Sequence, residues 1–193
     1  MSAGTLAPGT LALVRHGQTD WNLAGRMQGR TDIPLNATGR RQAAAAAEAL
    51  AAAGPWDLMA SSTLSRARET AAIIGDRLGL DQAGGFAGLD ERAYGDAEGA
   101  VVAGLGEDAK RALMERGEPA SEVVARGLGA LSGLAAAHPG RRLVVVSHGT
   151  LIRLVLSALH GTGHPRVENG QHILLAGELL AAGPRLSAGL SPR

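Results

Sequence analysis

Cysteine is absent from this 193-residue chain, which excludes a disulfide-stabilised fold, a catalytic thiol and any zinc site that needs thiolate ligands. Charge of one sign is not in excess either, because 19 basic and 18 acidic residues leave a formal net charge of +1. That balance does not favour a nucleic acid or another polyanion as partner. The chain also lacks stacking platforms for single-stranded nucleic acid, since its only aromatic residues are Trp21, Trp56, Phe86 and Tyr94.

Long apolar runs are also missing, and none approaches the length that would span a membrane. Residues 1–10 contain neither the basic residues nor the apolar core of a secretion signal. We therefore expect a cytoplasmic protein with no membrane partner. With 45% hydrophobic and 19% charged residues, the chain can bury a sizeable core, and no linker or repeat divides it. We expect one domain over residues 1–193.

Apolar runs that predict strands alternate along the chain with segments of helical periodicity. Strands are predicted at 10–14, 57–60 and 143–146, and helices at 40–53, 64–78, 120–137 and 150–159. Ser61 and Ser62 are candidate caps of the second helix, whereas the glycine-rich segment 79–106 has no clear period and is predicted to be irregular. Strands that alternate with helices favour right-handed crossovers. The predicted fold class is therefore α/β, a three-layer αβα sandwich with a mainly parallel central sheet.

Two of the predicted strands end at a histidine that is followed by glycine, His16 after the first strand and His148 after the strand at 143–146. Ligands of open parallel sheets bind outside the carboxyl ends of the strands, and glycine lets the backbone approach a bound group. The second predicted strand leads into a helix that carries Arg66 and Arg68 in its first turn, of which only one need face a pocket. Histidines and arginines grouped near helix N-termini predict a pocket for a dianion such as a phosphoryl group.

The sequence around these residues resembles a known family. Residues 13–22 read Leu-Val-Arg-His-Gly-Gln-Thr-Asp-Trp-Asn, which is similar to the signature of the histidine phosphatase superfamily, the phosphoglycerate-mutase-like proteins. The similarity continues in the same order in five further blocks, at 26–29, 32–35, 61–70, 89–92 and 147–150. Because the blocks extend over most of the chain, the resemblance is more specific than a lone Arg-His-Gly.

The resemblance implies a phosphoglycerate-mutase-like fold and a role for each matched residue. His16 would be the nucleophile that forms a phosphohistidine, and Glu91 would protonate the leaving alcohol. Arg15, Arg66 and His148 would bind the phosphoryl oxygens. By the same resemblance Asn22, Gln28, Gly29 and Gly149 would line the phosphate pocket, and Tyr94 the substrate mouth. No metal and no other cofactor is needed for these steps.

The chain departs from the family pattern after Glu91. Family members often continue with Gly-x-Trp-Glu-Gly, where this chain has Ala97 in place of tryptophan. Loss of that large packing group leaves Glu98, or another group, as an alternative general acid. The remaining histidines are expected to be structural or exposed. A last strand is also predicted at His172, from which this side chain could reach the pocket.

Three functions follow from this pocket. No Lys or Arg lies between Asp96 and Ala109, and Val102 occupies the position where the mutases carry a lysine. We therefore predict a metal-independent phosphomonoesterase that acts on a small phosphorylated metabolite. The alternatives are a 2,3-bisphosphoglycerate-dependent phosphoglycerate mutase and a weakly active protein that binds a phospho-ligand. The composition of residues 85–118 favours a compact or neutral leaving group, and a homodimer is left open.

Overall fold

A computed structural model describes residues 6–183 of the chain, so both ends of the predicted domain lie outside the described residues. Within that range the strands are β1 (Leu11–Arg15), β2 (Leu58–Ser61), β3 (Gln82–Gly85), β4 (Leu143–Ser147) and β5 (His172–Leu175). The helices are α1 (Asp20–Leu23), α2 (Ala37–Ala53), α3 (Ser65–Leu78), α4 (Glu107–Glu115), α5 (Ala120–Ala137), α6 (Gly149–His160) and α7 (Gly177–Ala182).

The five strands form one sheet in the order β3-β2-β4-β1-β5. All neighbours pair in parallel except β5, which runs antiparallel to β1. The predicted α/β class with a mainly parallel sheet is confirmed. Because β1 and β4 are neighbours, with Arg15 opposite Ser147, the residues that follow them, His16 and His148, lie side by side at the carboxyl edge.

Helices cover both faces of the sheet, as the predicted three-layer sandwich requires. Along β1 the side chains alternate, so that Leu11 and Leu13 join the core under α5 and α6, while Ala12 and Val14 join the core under α2 and α3. Every residue of β1 and β4 is buried, which explains why both strands have continuous apolar runs. None of the helices in residues 6–183 is long and apolar enough to cross a bilayer.

The structure differs from the sequence prediction in segments with few apolar residues. Strand β3 lies in the segment predicted to be irregular; its sequence, Gln-Ala-Gly-Gly, forms an edge strand that buries little. Helix α4, which was also not predicted, buries none of its residues fully. The serine caps predicted for α3 are wrong: the N-cap is Leu64 without a side-chain hydrogen bond, and Ser62 uses its hydroxyl elsewhere.

Candidate active site

A cavity of about 440 Å³ opens at the carboxyl ends of β1 and β4. Nine of the ten predicted site residues line it: Arg15, His16, Asn22, Gln28, Gly29, Arg66, Glu91, Tyr94 and Gly149. The tenth, His148, is fully buried, and its ring centroid is 5.1 Å from that of His16. Residues that are up to 134 positions apart in sequence are thus brought to one place by the fold.

His16 has the protonation pattern that a nucleophilic imidazole needs. Its Nδ1 lies 2.6 Å from the carbonyl oxygen of Gly17, and because a carbonyl can only accept, Nδ1 carries the proton and Nε2 keeps its lone pair. Burial lowers the pKa of His16 well below its ordinary value, and the positive charges of Arg66 and Arg15 lower it further. The ring is therefore neutral and nucleophilic near pH 7.

Glycine at position 17 is required by packing against the protein itself. A Cβ there would lie 2.2 Å from the carbonyl oxygen of Gly39, and a Cβ on Gly39 would lie 2.2 Å from that of Gln18. The loop after β1 therefore rests directly on the first turn of α2, which holds His16 in place. The amide of Gly17 donates a hydrogen bond to Thr70 Oγ1. The sequence suggested that glycine here makes room for a ligand, but the structure requires it because Gly17 packs against the backbone of Gly39.

Both pocket arginines are anchored by neutral groups. Arg15 Nη1 donates to the carbonyl oxygen of Val167 at 2.8 Å, and Arg66 donates to those of Gly29 at 2.6 Å and Thr31 at 3.0 Å. Carbonyls fix the guanidinium groups without neutralising them. Within residues 6–183 the one carboxylate that pairs with either arginine is that of Asp32, whose Oδ1 lies 4.0 Å from Arg66 Nη1. Burial lowers the pKa of both arginines, but an arginine stays protonated in proteins.

Four buried nitrogen atoms around the cavity have no hydrogen-bond partner within the described part of the chain. They are Arg15 Nε, Gln28 Nε2, Arg66 Nε and His148 Nδ1. Native proteins pair nearly all buried polar atoms, so a group of unpaired nitrogens next to two cations indicates a binding site for an anion. Gln28 is oriented for this role because its Oε1 accepts from Thr19 and Asn22, which directs its amide nitrogen away from them.

A chain of buried hydrogen bonds sets the tautomer of His148. Ser62 Oγ lies 2.8 Å from Asp90 Oδ1 and 2.7 Å from His148 Nε2. A carboxylate only accepts, so the serine hydroxyl donates to Asp90 and its oxygen accepts from Nε2–H. Burial lowers the pKa of His148 well below its ordinary value, and the charges of Arg66 and Arg15 lower it further, so the ring is neutral in the free protein. Its unpartnered Nδ1 donates only in the imidazolium form, which a bound phosphoryl dianion would favour.

Glu91 is held by the first turn of α6 and by its own loop. Its carboxylate accepts from the amides of Thr150, Leu151 and Arg92 at 2.9 to 3.1 Å. The loop is clamped by Arg126 of α5, which donates to three of its carbonyls, including that of Glu91 at 3.1 Å. Glu91 is therefore rigidly placed on the wall of the cavity.

Glu98, the alternative general acid, holds the surrounding loops together through hydrogen bonds. Its carboxylate accepts from the amides of Arg30, Thr31 and Tyr94, and it is not among the residues that line the cavity. Burial would raise the pKa of Glu98, but these hydrogen bonds outweigh burial and lower it. Glu91 also accepts from three amides, so hydrogen bonding does not separate the two acids. Glu91 lines the cavity and Glu98 does not, and this difference in position favours Glu91.

Other candidate residues lie away from the cavity. Arg68 lines a separate open hollow of about 780 Å³ beside β3, so Arg66 alone of the pair enters the site. His172 lines a third hollow next to Gln42 and does not reach the catalytic cavity. Within residues 6–183, no three His, Asp or Glu side chains come together as a set that could hold a metal ion.

Sequence reasoning did not single out three residues that shape this site: Ser62, Asp90 and Arg126. Ser62 was read as a helix cap, and Asp90 has no signal beyond its position next to Glu91. Arg126 lies in the middle of an amphipathic helix, where nothing in the pattern indicates that it reaches a distant loop. Only the hydrogen bonds reveal these roles.

Comparison with known proteins agrees with this geometry. The sequence model of the histidine phosphatase superfamily (branch 1) matches residues 11–176. The phosphatase PhoE of Bacillus subtilis is 39% identical over 165 residues, which cover 82% of this chain and 81% of PhoE. A metal-independent phosphoserine phosphatase of Arabidopsis thaliana is 32% identical over 157 residues, which cover 75% of this chain and 66% of that protein.

Among solved structures, a mycobacterial glucosyl-3-phosphoglycerate phosphatase in complex with VO3 superposes with a TM-score of 0.75 at 34% identity, covering 86% of this chain and 92% of that one. The match to the family model extends over the strands and loops that build the cavity. The chain therefore belongs to branch 1 of the histidine phosphatase superfamily, and it is a phosphatase.

Proposed function

We propose that this phosphatase acts through a phosphohistidine formed on Nε2 of His16. The observation that carries the proposal is the unprotonated Nε2 of a neutral, buried imidazole beside two arginines whose charge is not neutralised by their carbonyl partners. Arg15, Arg66 and His148 bind the phosphoryl oxygens, with Gln28, Asn22, Gly29 and Gly149 completing the pocket wall. Positive charge at those oxygens stabilises the transferring phosphoryl group.

Turnover takes two displacements at phosphorus. In the first, Nε2 forms a bond to phosphorus while the bond to the leaving oxygen breaks, and Glu91, carrying a proton, passes it to that oxygen. In the second, Glu91 as carboxylate takes a proton from water, the water oxygen bonds to phosphorus, and the phosphorus–nitrogen bond breaks to release phosphate. His16 returns to its neutral state, and Glu91 again carries a proton.

The substrate is a small phosphorylated metabolite, by analogy with relatives named for glucosyl-3-phosphoglycerate and phosphoserine. The cavity is large enough for a compound of that size, at about 440 Å³. Tyr94, whose hydroxyl is 2.8 Å from Thr150 Oγ1, lines its wall. A homodimer and a cytoplasmic location stay predictions from the sequence.

The phosphoenzyme can be trapped directly. We expect brief mixing with a ³²P-labelled phosphomonoester, followed by denaturation, to leave label on the protein that is stable in alkali and released in mild acid, as a phosphorus–nitrogen bond requires. Labelling and turnover should both survive an excess of chelator. Turnover without any label under these conditions, or label that is stable in acid, would contradict a phosphohistidine.

Removal of the Ser62 hydroxyl should weaken binding of the phosphoryl group through His148. In Ser62→Ala the imidazolium loses the acceptor for Nε2–H, so we expect kcat/KM to fall by about 10- to 100-fold. The descending, high-pH limb of the kcat profile, which reports the enzyme–substrate complex, should move to lower pH, because the protonated form of His148 is then less stable. Steady-state kinetics from pH 5 to 9 measure both effects.

The matched control is Ser61→Ala. Ser61 is equally buried, but its hydroxyl donates to the carbonyl oxygen of Ser62 and contacts neither Asp90 nor His148. Asp90→Asn should resemble Ser62→Ala, since an amide nitrogen in place of the carboxylate oxygen disrupts the same chain. An unchanged pH profile in Ser62→Ala, or the same shift in Ser61→Ala, would contradict this role.

A further inference from the structure

The mouth of the catalytic cavity carries a second group of cations beyond those assigned to the phosphoryl group. Four side chains from four separate segments line it: Arg26 after α1, Lys110 on α4, Arg153 on α6 and Arg166 before β5. A charge run on one element is commonly just a solvated surface. Convergence of cations from distant segments on one cavity instead indicates a place where an anion is bound.

These cations are only partly compensated by the protein. Lys110 pairs with Glu107 at 2.8 Å, and Arg166 pairs with Glu168 at 3.2 Å. The other two cations of the group take part in none of the ten ion pairs found within residues 6–183. Of these two, Arg153 is half-buried on α6, one turn beyond Thr150, whose amide holds Glu91. It is therefore close to the leaving-group side of the cavity.

Charge counting around the cavity leaves positive charge after the phosphoryl group is bound. The lining includes six cationic side chains and two carboxyl groups, Glu91 and Glu107, and Asp32 and Glu168 pair with two of the cations from outside it. Because Glu91 carries a proton when the substrate binds in the proposed mechanism, three carboxylates oppose six cations and a net charge of three remains. A phosphoryl dianion neutralises two of these charges. The whole chain carries a formal net charge of only +1, so this excess is a property of the cavity.

We propose that the leaving group of the substrate carries a negative charge of its own, a carboxylate or a second phosphate, which Arg153 and Lys110 bind at the cavity mouth with Arg26 and Arg166 near it. This rests on the proposed function, because it assigns the part of the substrate beyond the transferred phosphoryl group. Residues 85–118 alone favoured a compact or neutral leaving group, but three of the four cations come from outside that segment.

Matched substrate pairs test the proposal. Glycerol 3-phosphate and 3-phosphoglycerate have the same carbon chain and phosphate position and differ by a carboxylate; fructose 6-phosphate and fructose 1,6-bisphosphate differ by a second phosphate. We expect the charged member of at least one pair to have a kcat/KM larger by about 10- to 100-fold, the range of a charge-assisted hydrogen bond. The pair that shows the preference identifies the anion.

Replacement of single cations shows which side chains cause the preference for the charged substrate. Arg153→Met and Lys110→Met should each lower the ratio of kcat/KM between the charged and uncharged member of the preferred pair by about tenfold. Arg111→Met is the matched control: Arg111 is adjacent on α4 but pairs with Asp108 outside the cavity, so the loss of one charge should leave the ratio unchanged. Two variants keep the test valid if one fails to fold.

The outcomes separate this inference from the proposed function. Equal kcat/KM within both pairs, with a phosphohistidine still formed, would overturn the anion site and leave the mechanism standing. The same change of ratio in Arg111→Met as in Arg153→Met would show a long-range effect of net charge and would also overturn it. No hydrolysis and no phosphoenzyme with any of the four compounds would overturn both.

Discussion

Replacement of His16 by alanine is expected to lower kcat by about four orders of magnitude or more, the scale seen when a catalytic nucleophile is removed. The neighbouring imidazole, His148, is fully buried and does not line the cavity, so water would have to attack the phosphomonoester directly. Phosphatase assays together with ³²P-trapping measure the effect, and the trapped label should disappear.

His172→Ala is the control for this variant. That histidine is half-buried on β5 and lines a different hollow, so its loss should leave turnover within a factor of about two, as for most changes remote from a site. Retention of label in a folded His16→Ala protein would show that another residue is the nucleophile.

His16→Ala should also change how the free energy of unfolding depends on pH. The pKa of buried His16 lies well below its ordinary value, whereas in the unfolded chain it is about 6.5. Below that pH the unfolded state binds a proton that the folded state does not, so the free energy of unfolding decreases as the pH falls. In His16→Ala the unfolded state no longer takes up this extra proton. Thermal melts between pH 5 and 7 should therefore show a shallower decline in His16→Ala than in the parent protein.

Glu91→Gln is expected to lower kcat for an alkyl phosphate by about 100- to 10,000-fold, the usual contribution of a general acid. The loss should be much smaller for 4-nitrophenyl phosphate, because nitrophenolate leaves without needing a proton. Glutamine keeps the shape and two of the acceptor contacts to the amides around it, so the fold should persist. The ratio of the two losses is the diagnostic measurement.

Glu98→Gln tests the alternative acid. Glu98 accepts from the amides of Arg30, Thr31 and Tyr94, so its replacement should lower thermal stability and affect both substrates alike. A dependence on the leaving group in Glu98→Gln, with none in Glu91→Gln, would reverse the assignment of the acid.

The central parts of the fold could be predicted from the sequence because they are buried. Residues 143–146 form a continuous apolar run, and they lie in a strand that is enclosed on both faces. Helix α5 runs over Ala120–Ala137, the same bounds as predicted, because its apolar residues repeat at helical spacing. In contrast, β3 and α4 bury little, and local sequence carries little signal for elements of that kind.

The histidine and arginine positions were predictable for a related reason: each follows a strand that the sequence identifies, and parallel strands end at one edge of the sheet. The group of cations from which we infer an anionic leaving group could not be found in this way. Arg26, Arg153 and Arg166 are separated along the chain and carry no shared motif, so their common location depends on how the loops are folded.

By itself the sequence determined the order of the buried strands and helices, the family and the candidate residues of a phosphoryl pocket, because the spacing of apolar residues and short motifs are local properties of a chain. Only the tertiary structure decided the proton positions on His16 and His148, the placement of Glu91 but not Glu98 on the cavity wall, and the cationic cavity mouth. Each of these depends on distances between atoms that the sequence separates by tens of residues, and hydrogen bonds and charges act over a few ångströms.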